Sequence, residues 1–195
     1  MGRDPVAAPA VGHAGVTPQV NAFRVARRTF VAGQRVELAD IAATVGVNRV
    51  TLHRWLGNRT AILTKVVWSL TEPTLAACDQ RAPGHGGAHV ADAMAEFTRL
   101  TVEHHGMRSF LEREHETALR ILTRRDHDFQ HRLIGAVHAL LVREREAGHL
   151  DGDYPLDDLA FLVVRVVESF VYVEHIVGEE PDPARAARAL HFLLR

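Results

Sequence analysis

The sequence predicts an all-α protein of about nine helices, and three observations support this fold class. Apolar residues recur at helical spacing through most of the chain. No stretch of useful length alternates apolar and polar residues as a half-buried strand does. Glycines and prolines stand where the predicted helices would end or begin. With 195 residues, 47% of them hydrophobic, the chain is long enough to bury a large core as one large or two small domains.

The N-terminal segment predicts a tail followed by a first helix. Residues 1–17 are rich in Ala, Gly, Val and Pro without a period, and we expect them to form a flexible tail. Helix 1 is predicted over residues 18–31, because Thr17 can cap it and Pro18 suits the first helical position. Gly33 is expected to stop it.

Two short helices and a long one follow. Helix 2 is predicted over about residues 37–45, and Gly46 makes the turn after it. Asn48 is expected to cap helix 3, which runs to Leu56. Gly57 ends that helix, and Asn58 is expected to cap helix 4, which continues to about residue 79.

The remainder predicts five more helices and no internal repeat. A loop at residues 81–87, rich in glycine and containing Pro83, separates helices 4 and 5. Glycines at 106, 148 and 178 are expected to close helices 5, 7 and 8, and helix 6 is expected to break near His115. The predicted ranges of helices 5 to 9 are about 89–105, 108–124, 128–147, 156–177 and 181–194.

Helices 2 and 3 have the plan of a helix-turn-helix DNA reader. Val47, Leu52 and Leu56 are suited to burial, which leaves the opposite face of helix 3 for the major groove. Arginine can bind guanine through two hydrogen bonds, and the methyl groups of valine and threonine can contact a thymine methyl. The residues predicted to meet DNA on this face are Arg49, Val50, Thr51, His53 and Arg54.

The distribution of charge agrees with this interpretation. The chain has a formal net charge of −1, but residues 19–65 carry eight basic and two acidic side chains. Residues 66–195 carry 14 basic and 21 acidic ones. A basic N-terminal quarter suits a polyanionic partner, whereas the acidic remainder would be repelled by one.

Residues 41–63 resemble the signature of the TetR family of repressors, and within it a QsdR-like subgroup. The resemblance implies DNA-facing roles for Asn48, Arg49, Thr51, His53 and Trp55. It also implies that Arg59, at the start of helix 4, binds a phosphate, which the positive end of the helix dipole would favour.

The sequence departs from the family pattern at several positions. His53 stands where tyrosine is usual, Leu56 where phenylalanine is usual, and Val50 replaces a common glycine. Val36 and Glu37 stand where two threonines often open helix 2. These departures leave the predicted fold intact and make the operator sequence unpredictable.

Helix 8 predicts a homodimer. It is apolar nearly all round and must therefore be buried on more than one side. Packing of helices 8 and 9 against the same helices of a second chain would cover it, and the TetR resemblance implies the same four-helix interface. Such a dimer would present two recognition helices about one DNA turn (~34 Å) apart to a palindromic operator in double-stranded DNA.

The resemblance also implies a pocket for a small-molecule effector among helices 4 to 8. A mostly apolar lining would select a mostly apolar molecule. The pocket residues that the TetR resemblance suggests are Trp68, Phe97, Thr101, His104, Phe110 and Tyr172. A polar stripe on helix 8, formed by Arg165, Glu168, Tyr172 and His175, lines either this pocket or the dimer interface.

These observations predict a DNA-binding transcriptional regulator that a ligand releases from its operator. The expected domains are a tail at 1–17, a DNA-binding domain at 18–64 and an effector-binding and dimerisation domain at 65–195. Two alternatives remain open at this point. One is a metal-sensing regulator that uses histidines such as His127 and His131, and the other is a helical interaction module without a ligand.

Other classes of protein are disfavoured. There is no glycine-rich phosphate loop and no Gly-x-Ser-x-Gly elbow, and Cys78 has no identifiable base, so we expect neither an enzyme nor a bound cofactor. A single cysteine cannot form an intramolecular disulfide or a multi-cysteine zinc site. No signal peptide or confident membrane span is present, so a cytoplasmic location is expected.

Overall fold

The computed structural model describes residues 17–124 and 128–195, and these residues form ten helices and no strand. The all-α prediction is therefore confirmed, while the flexible tail predicted at 1–17 lies, apart from Thr17, outside the described residues. The helices are α1 Pro18–Val31, α2 Leu38–Val45, α3 Arg49–Leu56, α4 Arg59–Arg81, α5 Gly86–Glu103, α6 His105–Thr123, α7 Phe129–Glu146, α8 Leu156–Val171, α9 Val173–Val177 and α10 Pro183–Leu193.

Asparagine and threonine side chains start the N-terminal helices as the sequence predicts. The Asn48 side chain accepts a hydrogen bond from Thr51 N at 2.7 Å, and Asn58 accepts one from Ala61 N at 2.8 Å. The Thr17 hydroxyl accepts from Val20 N at 3.4 Å. Each bond satisfies one of the amide groups that the first turn of a helix leaves without a partner.

The predicted helix 8 is two helices in the structure. Its backbone leaves helical geometry at Tyr172 (φ −105°, ψ 5°), which separates α8 from the short α9. Gly178 then ends α9 in the left-handed conformation. Helix α6 has the break expected near His115, at the neighbouring Glu114 (φ −138°, ψ 37°).

Helices α1 to α3 form a small core that continues into the rest of the molecule. Phe30 of α1 is buried and meets Phe110 of α6 edge to face, with ring centroids 5.5 Å apart. A side chain at Gly106 would collide with the carbonyl oxygen of Phe30. The N-terminal helices therefore pack tightly against α6 as well as against α4.

The C-terminal helices surround α5. Val90, Ala91, Ala93 and Met94 of this helix are fully buried among α4, α7, α8 and α10. The start of α5 touches the end of α10 so closely that a Cβ on Gly87 would collide with the carbonyl oxygen of Leu194. Glycine is required at this position because the backbone of α10 lies too close to leave room for a side chain.

Helix α4 joins the two parts of the molecule. Its 23 residues contain Pro73, which lies exposed to solvent and has no N–H to donate to the carbonyl of Ser69. Near its C-terminal end, Asp79 binds both Arg143 of α7 and His89 of α5, at distances of 2.6 to 2.9 Å. These contacts tie α4, α5 and α7 together at one end.

None of the helices described here is both long and apolar enough to cross a membrane.

Candidate nucleic-acid interface and effector cavity

The turn between α2 and α3 is built by Gly46. This residue has φ 75°, a left-handed conformation that L side chains adopt rarely, and its N–H donates to Ala43 O at 3.2 Å. The N–H of Val47 donates to Ala42 O at 3.0 Å. Only residues 46–48 separate the two helices, and α3 packs against α2 as in a helix-turn-helix.

Helix α3 buries one face and exposes the other. Leu52 and Leu56 are buried in the N-terminal core, as predicted. Val50 is 79% exposed, the highest value among the large apolar residues that the structure leaves exposed. Together with Leu38 and the exposed Arg49 and His53, it lines a shallow depression in the surface.

The structure brings most of the predicted DNA-facing residues to this one surface. Arg54 is exposed beside His53, and Thr51 is half-buried on the same helix. Asn48 is exposed, but its carboxamide oxygen is already used to cap α3. Trp55 is half-buried and packs against the core, and its backbone carbonyl accepts a hydrogen bond from Gln19 at 3.2 Å. The free polar surface is thus centred on Arg49, His53 and Arg54.

Arg59, for which the TetR resemblance implies a phosphate contact, binds acceptors within the protein in this structure. Its Nε donates to Val36 O at 2.7 Å, and its Nη2 lies 2.8 Å from both carboxylate oxygens of Glu114. Its side chain is 20% exposed and that of Glu114 is 10% exposed. In this structure Arg59 is a contact between α4 and the kink of α6, because these acceptors hold its guanidinium inside the protein.

An apolar cavity of about 200 Å³ lies among α4, α5 and α6. Three of the predicted effector residues, Phe97, Thr101 and His104, line it. The sequence did not identify the other lining residues, which are Leu70, Thr71, Thr74, Leu100 and Met107. Four of these eight side chains are hydrocarbon or thioether, and the hydroxyls of Thr71, Thr74 and Thr101 donate to backbone carbonyls of their own helices.

His104 is the polar group with the most defined chemistry in this cavity. Burial lowers its pKa, so the imidazole is held neutral at physiological pH. Its Nδ1 accepts a hydrogen bond from Met107 N at 3.1 Å, which leaves the proton on Nε2. A neutral imidazole with a fixed Nε2–H can donate a hydrogen bond to a carbonyl or hydroxyl oxygen.

A second, larger cleft of about 360 Å³ lies where α5, α6 and α9 meet. Glutamates at 103, 112, 174 and 180, together with Arg108 and His175, form much of its wall. It shares Thr101 with the apolar cavity. Its charged walls make it a poor site for an apolar molecule.

The remaining predicted effector residues lie outside the apolar cavity. Trp68 is buried and meets Phe129 edge to face, and Arg132 lies 4.2 Å from the Trp68 ring centroid. Its indole N–H has no hydrogen-bond partner among the described residues. Phe110 is in the core beside Phe30. Trp68 and Phe110 therefore do not line this cavity, because their rings pack against Phe129 of α7 and Phe30 of α1, respectively.

The polar stripe predicted on helix 8 is a buried cluster. Arg165 and Glu168 form an ion pair at 2.6 Å, and Gln130 donates to Glu168 at 3.0 Å. Burial raises the pKa of Glu168, although these partners oppose the change. Burial and the nearby Glu168 raise the pKa of Tyr172 well above its usual value. Glu168 contacts Gln130 of α7, none of the four stripe residues lines the apolar cavity, and the break at Tyr172 interrupts the stripe before His175.

Part of the outer surface of α8 and α10 is apolar and open. Phe192 is 72% exposed, Phe161 is 47% exposed, and Leu162 is also exposed. Helix α8 is thus covered on one side by α5, α7 and α10, whereas Phe161 and Leu162 are exposed to solvent on its other side.

Comparison with known proteins identifies the family of this chain. A family model described as a tetracyclin repressor-like C-terminal domain matches residues 85–195. The chain belongs to the TetR family. TetR-family proteins are transcriptional regulators that bind operator DNA and small-molecule effectors and act as homodimers. No curated protein matches the chain in sequence.

Two solved structures of TetR-family proteins are similar to this chain. One is the transcriptional repressor QsdR of R. erythropolis, with a TM-score of 0.81, 22% sequence identity, and coverage of 91% of this chain and 94% of QsdR. The other is the regulator PfmR from Thermus thermophilus, with a TM-score of 0.46, 17% identity, and coverage of 92% of this chain and 98% of PfmR. The likeness to QsdR confirms the TetR fold over nearly the whole chain.

Proposed function

We propose that this TetR-family regulator is a homodimeric repressor that binds a palindromic operator through α3 and leaves it when a small, mostly apolar molecule fills the cavity of α4, α5 and α6. In this proposal residues 18–64 are the DNA-binding domain, and residues 65–195 bind the effector and dimerise. The exposed face of α3 is the observation that carries the first part.

The chemistry of that face matches the major groove. Arg49 is exposed at the first turn of α3, where side chains of a recognition helix reach base edges. Val50 is the most exposed of the large apolar residues that the structure leaves exposed, and contact with a thymine methyl would bury it. His53 and Arg54 extend the polar surface by one helical turn. Arg49 and Val50 are therefore proposed to select bases, and Asn48, Thr51, His53, Arg54 and Trp55 to support or orient that contact.

The second chain is proposed to pack on α8 and α10. Phe161, Leu162 and Phe192 form an exposed apolar surface there, and burial of each such side chain contributes about 1.5–3 kcal/mol relative to exposure. This is the interface that the sequence predicts from helix 8. It would set two copies of α3 at a fixed spacing on DNA.

The effector is proposed to occupy the cavity between Phe97 and Leu70. A volume of about 200 Å³ suits a small molecule below the usual drug size. The walls are largely apolar, and the Nε2–H of His104 is available to orient one oxygen of the ligand. Thr71 and Thr74 belong to α4, whose first residue lies just after the DNA-binding helices, so one helix contacts both sites.

Selection of duplexes from a random DNA library tests the DNA-binding part directly. The parent chain is expected to enrich a palindrome. Arg49→Ala is expected to relax selection at one base pair in each half-site, at a cost of about 1–3 kcal/mol for that position. The matched control is Arg120→Ala, which removes an exposed arginine of α6 and is expected to select the parent's sequence.

Two outcomes would contradict the assignment. One is selection of no sequence by the parent chain, which would leave a helical interaction module as the better description. The other is an Arg49→Ala variant that enriches the same palindrome with unchanged base preference at every position.

A further inference from the structure

Three potential metal ligands meet at the end of the molecule far from α3. His85 is the residue before α5, Glu144 lies in the last turn of α7, and His149 follows the glycine that ends α7. One ligand atom from each of them lies within 4.8 Å of the other two. The imidazole rings of His85 and His149 are stacked, with centroids 4.4 Å apart and planes 29° apart.

The backbone holds these three residues in place. Gly86 N donates to Glu144 Oε2 at 2.8 Å, and His149 N donates to the Glu144 carbonyl at 2.9 Å. A Cβ on Gly86 would collide with the carbonyl oxygen of His149. The main chains that carry the two histidines are therefore in direct contact, and the carboxylate is anchored between them. Such a cluster needs little reorganisation to close around an ion.

The burial of the three groups also suits a metal ion. Glu144 is 6% exposed, whereas His85 and His149 are open to solvent. An ion can thus enter from water, meet two exposed imidazoles, and contact a carboxylate held at the base of the site, where His149 Nδ1 already lies 3.6 Å from Glu144 Oε2. Glu144 has a further partner, because Arg143 Nη2 lies 3.2 Å from its Oε1 and is held in turn by Asp79. Ordered outer partners of this kind orient a ligating carboxylate.

The donor set selects one class of ion. Two imidazole nitrogens and one carboxylate suit Zn²⁺, Ni²⁺, Co²⁺ and Cu²⁺, whereas Ca²⁺ and Mg²⁺ prefer oxygen ligands alone. Tetrahedral zinc with bonds of about 2.0–2.1 Å requires ligand atoms about 3.4 Å apart. The three ligand atoms, which lie within 4.8 Å of one another, must therefore approach by up to about 1.4 Å when an ion binds.

We propose that His85, Glu144 and His149 form a binding site for a divalent transition metal, with water in the remaining position. The ion would tie the loop between α4 and α5 to the junction of α7 and α8. The site differs from the histidine pair suspected from the sequence, His127 and His131, of which His127 lies outside the described residues. It is also remote from the apolar cavity and does not depend on the proposed effector.

Metal titration of the full chain, produced without a histidine tag and treated with chelator, tests the proposal. Calorimetry with Zn²⁺ and the visible absorbance of Co²⁺ are expected to show one ion per chain, and Zn²⁺ is expected to raise the unfolding temperature. His85→Ala and His149→Ala are each expected to weaken Zn²⁺ binding at least tenfold. Both histidines are exposed, so these variants are expected to keep the parent's fold.

Two controls separate this site from other histidines. His138→Ala changes a half-buried histidine of α7 whose neighbour is Asp157, and it is expected to retain the parent's affinity for Zn²⁺. A His127→Ala/His131→Ala double variant is expected to do the same. The proposal is overturned if the parent binds no Zn²⁺, or if His85→Ala and His149→Ala bind it as tightly as the parent. Because the readout is metal binding, it is independent of whether the DNA assignment is correct.

Discussion

Arg59 and Glu114 are joined by an ion pair at 2.8 Å that connects the first residue of α4 to the kink of α6. Glu37, which precedes α2, lies 3.8 Å from the same guanidinium and pairs with Arg35. The start of the DNA-binding helices, the start of α4 and the middle of α6 therefore meet in one small charged network. Within it, Arg59 and Glu114 are mostly buried, whereas Arg35 and Glu37 are open to solvent, so the Arg59–Glu114 pair is the part least screened by water.

Glu114→Gln is expected to lower the free energy of unfolding by about 1–3 kcal/mol, because it leaves Arg59 mostly buried without its anionic partner. Urea denaturation at neutral pH measures the change. Glu116→Gln removes an exposed carboxylate two residues away and is expected to change stability by less than about 0.5 kcal/mol.

Arg59→Ala distinguishes the contact with Glu114 of α6 from the phosphate contact that the TetR resemblance implies. If the main role of Arg59 is the ion pair with Glu114, the variant is expected to be less stable than the parent. Its DNA affinity is then expected to depend on salt concentration as the parent's does. A phosphate contact would instead reduce the slope of log K against log salt by about one. Measurement of operator affinity at several salt concentrations decides between the two.

A negative charge placed on the exposed apolar surface of α8 and α10 is expected to prevent formation of the homodimer. Phe192→Glu and Phe161→Glu place a carboxylate in the proposed interface and are expected to convert the dimer into a monomer near 21.6 kDa. Sedimentation at micromolar concentration measures the mass. Ile176→Glu is the matched control, because it alters an exposed apolar residue of α9 and is expected to remain dimeric. A monomeric parent chain would contradict the proposed interface.

The apolar cavity predicts that a bulky side chain can block the effector. Thr74→Trp is expected to fill the space beside Phe97 and Leu100 and to exclude a ligand from it. Any apolar compound that stabilises the parent, by about 2.7 kcal/mol at one hundred times its Kd, is expected to lose this effect on the variant. Thermal unfolding measures it.

Thr123→Trp places the same side chain on an exposed position of α6 and is expected to respond like the parent. Equal stabilisation of the parent and of Thr74→Trp would show that the compound binds elsewhere.

Asp79 predicts a pH dependence of stability. The hydrogen bond from Arg143 lowers its pKa, burial opposes this, and the contact with His89 adds to the lowering. Because the folded pKa is depressed, the stabilisation is complete above the unfolded value of about 3.9 and is lost as pH falls through the folded value.

Asp79→Asn is therefore expected to cost about 1–3 kcal/mol at neutral pH, and this difference is expected to shrink as the pH falls below about 3.9. Urea denaturation across this range measures it. Asp153→Asn, in the exposed loop before α8, is the control and is expected to follow the parent at every pH. A difference between Asp79→Asn and the parent that is independent of pH would contradict the role of the charge.

The helix-turn-helix was predictable because its determinants are local. Capping by Asn48 and by Asn58 involves an amide only three residues away, and the left-handed turn at Gly46 depends on that residue alone. The burial of Leu52 and Leu56 follows from their spacing on one face of a short helix. These features can be inferred from a single sequence with no knowledge of the tertiary structure.

The parts that could not be predicted depend on contacts between distant residues. Arg59 and Glu114 are separated by 55 positions, and the start of α4 contains no sign that its arginine turns inward. The TetR resemblance that made Trp68 a pocket candidate could not show that its ring packs against Phe129 of α7. Likewise, His85 and His149 are not recognisable as neighbours until α5 and α7 are packed.

Pro73 removes one backbone hydrogen bond from α4 beside the cavity, and a helix bends most easily at such a position. The turn that lacks a hydrogen bond to Ser69 also carries Leu70 and Thr74, which line the space proposed for the effector. From this turn to Arg59 the helix is a stiff rod about 21 Å long. A change of about 10° in its bend would swing the rod's tip by about 4 Å, which exceeds the rise of ~3.4 Å between successive base pairs. A change of bend of this size at Pro73 would thus correspond to a misalignment of about one base step at the groove.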